Sequence, residues 1–211
     1  MSTTVIIPTK NEVIGVEKIL PQVKKEWADE WIVMDGNSKD GTVDAAKKLN
    51  FNVIQQTGKG AGNACREGVK HAHSENVLFF HPDGNCKPEY IPKLIKKLEE
   101  GNYDVVQISR FGKSGSSDDD SPLTAFGNQM FTFLVNIFFG GHLTDVLYGY
   151  KIVKKKVFQD LNLDAEFLTL EQQISIRTSK FGLKITEICG NEPARVGGER
   201  KMIPYIVGSQ L

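Results

Sequence analysis

The chain has 211 residues, with 26 lysines and arginines against 26 aspartates and glutamates, so its net charge is zero. That length suits one well-cored domain and is short for two, and the even charge balance excludes the basic face of a nucleic-acid binder. Three scattered cysteines, Cys65, Cys86 and Cys189, lack metal-ligand spacing and by their odd number exclude a disulfide framework, so a reducing, cytoplasmic setting is expected. The first strand pattern follows Met1 without a basic and apolar leader, so no secretory signal is expected. The most apolar stretch, Met130 to Phe139, is broken by Thr132 and Asn136 and falls short of the roughly 20 residues that cross a bilayer.

Taken in order, Thr3 to Pro8 is a β-branched run that predicts a strand, and Val16, Ile19, Leu20 and Val23 follow at helical spacing. Trp31 to Met34 repeats the strand signal and runs into the polar loop from Asp35 to Thr42, before a helix reaching about Leu49. Asn52 to Gln55 predicts a third strand, Gly58-Lys59-Gly60 its loop, and Asn63 to about His73 its helix. Val77 to Phe80 is the fourth and central strand, ending in His81-Pro82-Asp83-Gly84-Asn85. Ile91, Leu94, Ile95 and Leu98 then mark a core-facing helix, and Tyr103 to Ser109 a fifth strand. Alternation at this spacing predicts an α/β fold with a mostly parallel sheet and right-handed crossovers.

Beyond Arg110 the rhythm changes. Gly112 to Ser121 has too few apolar residues to pack and predicts a mobile loop of the functional kind. Leu123 to Phe139 predicts a Phe-rich helix, Thr144 to Lys154 a turn and strand, Glu166 to Phe181 a helix capped by Gly182, and Ile185 to Cys189 a last strand. With no internal repeat, the expectation is one domain over residues 1–211, a donor half to residue 110 and an acceptor half beyond. The Phe-rich helix has more aromatic residues than one core-facing stripe needs. Its outer face either docks a lipid or membrane surface, or is ordinary core or a dimer contact.

In a parallel sheet the strand ends of one kind share an edge, and ligands bind outside the carboxyl ends. Pro8, Lys10 and Glu12, then Asp35, Lys59, Asp83 and Arg110, are therefore expected around a single crevice. Two carboxylates, a glycine loop, a lysine and an arginine suit a phosphate-bearing nucleotide whose charge is shared with a divalent cation. Each residue also has a plain alternative: Asp35 and Asp83 as turn residues, Lys59 as a solvated loop charge, Arg110 as a strand-end charge. Gly60 is followed by Ala61, so the loop is not a P-loop, and the first strand ends in Thr9-Lys10-Asn11 rather than a dinucleotide fingerprint.

The ordered set from Val5 to Glu12, Val33 to Thr42, Gly58 to Gly60 and His81 to Asn85 resembles the successive motifs of family 2 glycosyltransferases with the GT-A fold. The second half resembles the dolichyl-phosphate mannosyltransferase branch through Gly127-Asn128 to Phe139-Gly140, Thr144-Asp145 to Gly149-Tyr150-Lys151, and Arg195 with Gly197 to Met202. The resemblance implies inverting transfer of a hexose from a nucleotide-diphosphate sugar (a GDP- or UDP-sugar), assisted by Mg²⁺ or Mn²⁺. Pro8, Lys10, Glu12 and Asp35 would hold the base and ribose, with Lys59 and Pro82 also on the nucleotide. Asp83, Asn85 and, as a borderline ligand, His81 would hold the metal, and Arg110, Arg195 and Lys201 would meet phosphates. The implied acceptor is a polyprenyl (dolichyl or undecaprenyl) phosphate, with possible peripheral contact at the cytoplasmic membrane face.

Two rivals stay open: a soluble transferase acting on a saccharide or protein hydroxyl, and a nucleotide-sugar-binding module without turnover. A hydroxyl acceptor needs a base, for which Glu171 and Asp145 are the candidates. The sequence departs from the family pattern at His81, where the family's Asp-x-Asp motif has an aspartate. Ser121-Pro122-Leu123-Thr124 lacks the expected basic residue, and the membrane helices that many relatives of the branch carry are not seen.

Overall fold

The structure is a computed structural model and describes residues 1–167 and 169–197. The β-branched run at the start forms β1 (Thr3–Thr9), buried along its whole length and paired in parallel with β2 (Glu30–Asp35) and β4 (Asn76–Phe79). β3 (Asn52–Gln55) continues the sheet beyond β2, and β5 (Val105–Ser109) and β8 (Ile185–Cys189) pair in parallel at the other end. Interior parallel strands must be apolar on both faces, and the alternation is clean. Val5, Ile7, Val33 and Leu78 point into one core, with α1 (Val13–Ile19), α2 (Thr42–Lys48) and α4 (Tyr90–Gly101). Ile6, Ile32, Met34 and Phe79 point into the opposite core. There they meet α3 (Ala61–His71), α6 (Lys155–Asp160) and α7 (Leu170–Lys180).

The sheet is mixed rather than parallel throughout. Its order is β3-β2-β1-β4-β7-β5-β8, with β7 (Lys151–Lys154) antiparallel between β4 and β5. The chain leaves β5, builds α5 (Pro122–Phe139), turns, and re-enters the gap from the crevice side. The turn before β7 therefore lies between the ends of β4 and β5.

The segment from Gly112 to Ser121 is not the unpacked loop its composition predicts. It forms β6 (Ser116–Ser117), paired with β9 (Asn191–Glu192), and Asp120 is buried beside it. Polar contacts hold it: the Ser117 hydroxyl donates to Glu192 and accepts from the Asp120 amide. Helix α7 also starts later than predicted, at Leu170, and the Glu166 carbonyl accepts from the Asn63 amide at the start of α3. A Cβ at Gly60 would lie 2.2 Å from the Glu166 carbonyl oxygen. The glycine of Gly58-Lys59-Gly60 thus lets that backbone approach, and the Thr57 and Gly58 amides are satisfied by Glu67 rather than left open for phosphate.

Lys151, at the start of β7, is fully buried and donates to Gln107 Oε1 at 2.7 Å, Ser175 Oγ at 2.7 Å and the Val146 carbonyl at 3.3 Å. Burial lowers its pKa from 10.5 to about 8. The unfolded chain keeps this proton up to the higher value, so Lys151 makes stability rise with pH between the two. The expected rise is about 3 kcal/mol. Urea unfolding from pH 8 to 10 should show this rise relative to Lys151→Met, and parallel profiles for the two proteins would refute it.

Candidate active site

Asp35 closes β2 opposite Thr9, the last residue of β1. Its Oδ1 accepts from Ser38 Oγ at 2.5 Å and Thr9 Oγ1 at 3.3 Å, and its Oδ2 accepts the Ser38 amide at 2.9 Å. The two strand-end loops are clamped together, since the Asn11 amide donates to Ser38 Oγ and the Lys39 amide to Asn11 Oδ1. Glu12 precedes α1, is buried, and donates its amide to Thr42 Oγ1. Pro8 lies buried within β1, Lys10 is exposed at the mouth, and Lys59 is exposed on its loop.

Asp83 is placed by the apolar β4 and by Gly15 of α1, where a Cβ would lie 2.1 Å from the Pro82 carbonyl oxygen. Any larger residue there would push the Pro82–Asp83 backbone off the helix. Asp83 Oδ1 accepts the Asn85 amide at 3.0 Å and its Oδ2 accepts from Arg195 Nη2 at 2.9 Å. The segment carrying Arg195 is fastened over this turn, with the Val196 amide on the Asp83 carbonyl and Asn85 Nδ2 on the Pro193 carbonyl. Arg195 also reaches Glu12 Oε1 at 3.4 Å, so the ends of β1 and β4 are bridged by one guanidinium. Its Nε is buried and has no hydrogen-bond partner among the described residues, an orphaned donor that an anion would satisfy.

His81 Nε2 lies 3.1 Å from Glu171 Oε1 in the first turn of α7, and the glutamate is almost wholly buried. Burial alone would lower the histidine's pKa below 6.5. The hydrogen bond and charge of Glu171, with Asp83 behind, outweigh burial and hold it above that value. One ring nitrogen of the histidine expected as a borderline metal ligand, Nε2, is therefore committed to a carboxylate.

Arg110 does not stand open toward phosphates. It is buried and bonds Asp145 through Nε at 2.7 Å and Nη2 at 3.1 Å, and Asp120 and Glu192 through Nη1 at 3.2 and 3.1 Å. The β7 entry turn that separates β4 from β5 supplies Asp145, which explains the departure. Burial would lower the Arg110 pKa, but Asp145 first, then Glu192 and Asp120, hold it above its ordinary value. Asp145 is fully buried and also accepts the amides of Arg110, Leu147 and Tyr148, so it is a structural anchor with no opening for an acceptor proton. Asp120, Glu192 and Ser38 were not singled out in the sequence. Only the spacing of Ser38 from Asp35, typical of a side chain capping its own loop, signals one of them. Lys201 lies outside the described residues.

Among the described residues no three His, Cys, Asp or Glu side chains gather into a metal cage. The Asp83 carboxylate, whose Oδ2 is paired with Arg195 here, and the Asn85 side-chain oxygen, whose Nδ2 is held by the Pro193 carbonyl, are the donors at this edge that would hold Mg²⁺ or Mn²⁺. Two hard oxygen donors suit a cation whose remaining ligands come from water and substrate phosphates.

Known proteins resemble the chain along most of its length. Glycosyltransferase AglJ of Haloferax volcanii is 28% identical over 187 residues, 87% of this chain and 60% of that protein. The chain thus spans about 60% of the length of that relative. The dolichyl-phosphate hexose transferase of the same organism is 26% identical over 209 residues, 98% of this chain and 89% of that one. Glucosyl-3-phosphoglycerate synthase from Mycobacterium tuberculosis, solved with Mn²⁺, uridine diphosphate and glucosyl-3-phosphoglycerate, superposes with a TM-score of 0.73 at 20% identity. That match covers 98% of this chain and 75% of the solved one. The fold is therefore of the GT-A nucleotide-diphospho-sugar transferase type. That synthase superposes on both halves of the chain, which overturns the dolichyl-phosphate mannosyltransferase branch assigned from the second half of the sequence. The glycosyl transferase family 2 pattern matches residues 4–161, from β1 through α6 and so across the strand ends that carry Asp35 and Asp83, and the chain belongs to that family.

Proposed function

We propose that the chain transfers a hexose from a nucleoside-diphosphate sugar to a hydroxyl of a soluble acceptor. The observation that carries this choice of acceptor is the pairing of charges. A phosphate acceptor is already anionic and needs cations to position it, yet Arg110 is offset by three carboxylates. A hydroxyl acceptor needs a base, and Glu171 with His81 supplies a buried carboxylate bonded to an imidazole. The synthase whose fold this chain shares was solved with a soluble phosphoglycerate compound, which supports the same reading.

In this reading Asp35 and Glu12 hold the nucleoside, Lys10 and Lys59 flank it, and the buried Nε of Arg195 turns to the diphosphate. Asp83 and Asn85 would hold Mg²⁺ or Mn²⁺, which would supply positive charge beside the diphosphate. As the acceptor oxygen bonds to the anomeric carbon, its proton passes to the His81–Glu171 pair. The bond to the diphosphate breaks and its electron pair leaves with the phosphate oxygen.

The test is nucleoside diphosphate release from UDP-glucose or GDP-mannose with Mn²⁺. The acceptors are 3-phosphoglycerate, a panel of simple glycosides, and undecaprenyl phosphate in detergent. Release stimulated by a soluble hydroxyl acceptor is expected, and removed by Glu171→Gln. Release stimulated by undecaprenyl phosphate alone would overturn the acceptor class, and nucleotide-sugar binding without release would make the chain a binding module.

A further inference from the structure

Helix α5 carries two apolar stripes, and the described residues pack against one. Phe131, Thr132, Val135 and Phe139 face inward, where Val135 packs with Leu143 and Val146 against α7. Leu123, Phe126, Met130, Phe133 and Ile137 face outward at alternating spacings of three and four residues along the whole helix. That is the seam of a helix that packs on another helix, repeated over about 21 Å.

The outward face is large. Phe126, Phe133 and Phe138 are 66, 61 and 73% exposed, and Leu123 is 79% exposed. With Met130, Leu134 and Ile137 it offers about 800 Å² of apolar surface, taking roughly 200 Å² per phenylalanine and somewhat less per aliphatic side chain. A monomer's largest apolar patch is ordinarily about 300–600 Å², whereas one side of a stable protein interface is about 800 Å². Gly127 flanks the seam with no described atom within 4 Å of the Cβ it lacks. A glycine inside a helix is less favourable than alanine, and here it eases no contact among the described residues; close approach of a second backbone gives it a use.

Charge decides between the partners such a face can take. A helix that lies on a membrane joins its apolar face to a lysine- and arginine-rich one. The segment Pro122–Phe139 contains no charged residue, and the carboxylates of Asp118 and Asp119 lie just before it, so anionic headgroups are repelled rather than drawn in. We propose that the outward stripe of α5 is the contact of a homodimer, in which α5 of one copy packs on α5 of a second across a two-fold axis. A two-fold contact uses the same patch on both copies, and a symmetric uncharged seam meets that requirement without like-charge conflict. The inference rests on the geometry of α5 and does not depend on the acceptor.

The experiment is sedimentation velocity on the full chain from 1 to 100 μM, with the wild type, Phe126→Glu/Phe133→Glu and Gly127→Leu. The expected wild-type mass is twice 23.5 kDa. The double variant should be monomeric with an unchanged far-ultraviolet spectrum, and Gly127→Leu, which favours the isolated helix, should weaken association at least tenfold. Should the double variant fail to fold, Gly127→Leu and the wild-type mass decide. A monomeric wild type at 100 μM, or a dimer that neither variant weakens, would overturn the proposal. Flotation of a monomeric wild type with phosphatidylcholine or phosphatidylglycerol vesicles would also overturn it, giving the face to lipid instead.

Discussion

Arg110→Met is expected to destabilise the protein by about 3–5 kcal/mol, the cost of breaking a buried ion-pair network from one side. The guanidinium is almost wholly buried and serves Asp145, Asp120 and Glu192, whose side chains are 0, 2 and 8% exposed. Removing it leaves three clustered carboxylates without the guanidinium they share. Burial already raises the Glu192 pKa even with Arg110 present, so part of the lost stability should return on acidification as the cluster takes up protons. The measurement is the urea midpoint of wild type and variant at pH 7 and pH 5. A loss below about 1 kcal/mol would show that Arg110 is not the keystone of this cluster and is available to a ligand.

Asp83→Asn should behave in the opposite way, sparing the fold and removing turnover. Asparagine keeps the oxygen that accepts the Asn85 amide, so the turn at the end of β4 stays closed. It loses the charge that holds Arg195 and would hold the cation, and the expected loss of transfer is about 10²–10³-fold at an unchanged melting temperature. Arg195→Met should raise the KM for the sugar donor more than it lowers kcat, because its role is to bind the diphosphate. Full activity in Asp83→Asn would return that residue to a turn-forming role.

Much of this was legible before any coordinates. β1, β2, β3 and β4 each carry apolar residues on both faces and end in polar loops, so their existence, their direction and the convergence of Glu12, Asp35 and Asp83 at one edge follow from local pattern. Sheet order is not local. Nothing in Lys151–Lys154 says that it enters between β4 and β5, and that insertion takes Arg110 from the crevice and gives it to Asp145. Partnership across 82 residues, as between Arg110 and Glu192, or 90, as between His81 and Glu171, is likewise invisible to spacing. The polar segment from Gly112 to Ser121 misled because low apolar content predicts poor packing. Here Asp120 is ordered by its bond to Arg110, and Ser117 by donating to Glu192 and accepting the Asp120 amide.

The edge carrying Asp35 and Asp83 is proposed to hold a nucleoside diphosphate together with a divalent cation, which calorimetric titration of UDP and GDP with and without Mn²⁺ would reveal. Asp83 and Asn85 supply too few ligands for tight binding of metal alone, so Mn²⁺ should bind weakly without nucleotide. One of the two nucleotides should bind at least tenfold more tightly with the cation than without it. Asp83→Asn should abolish that gain, and Asp35→Ala should weaken binding whether or not metal is present. Failure of both nucleotides to bind, or binding indifferent to Mn²⁺ and unchanged in both variants, would contradict the account.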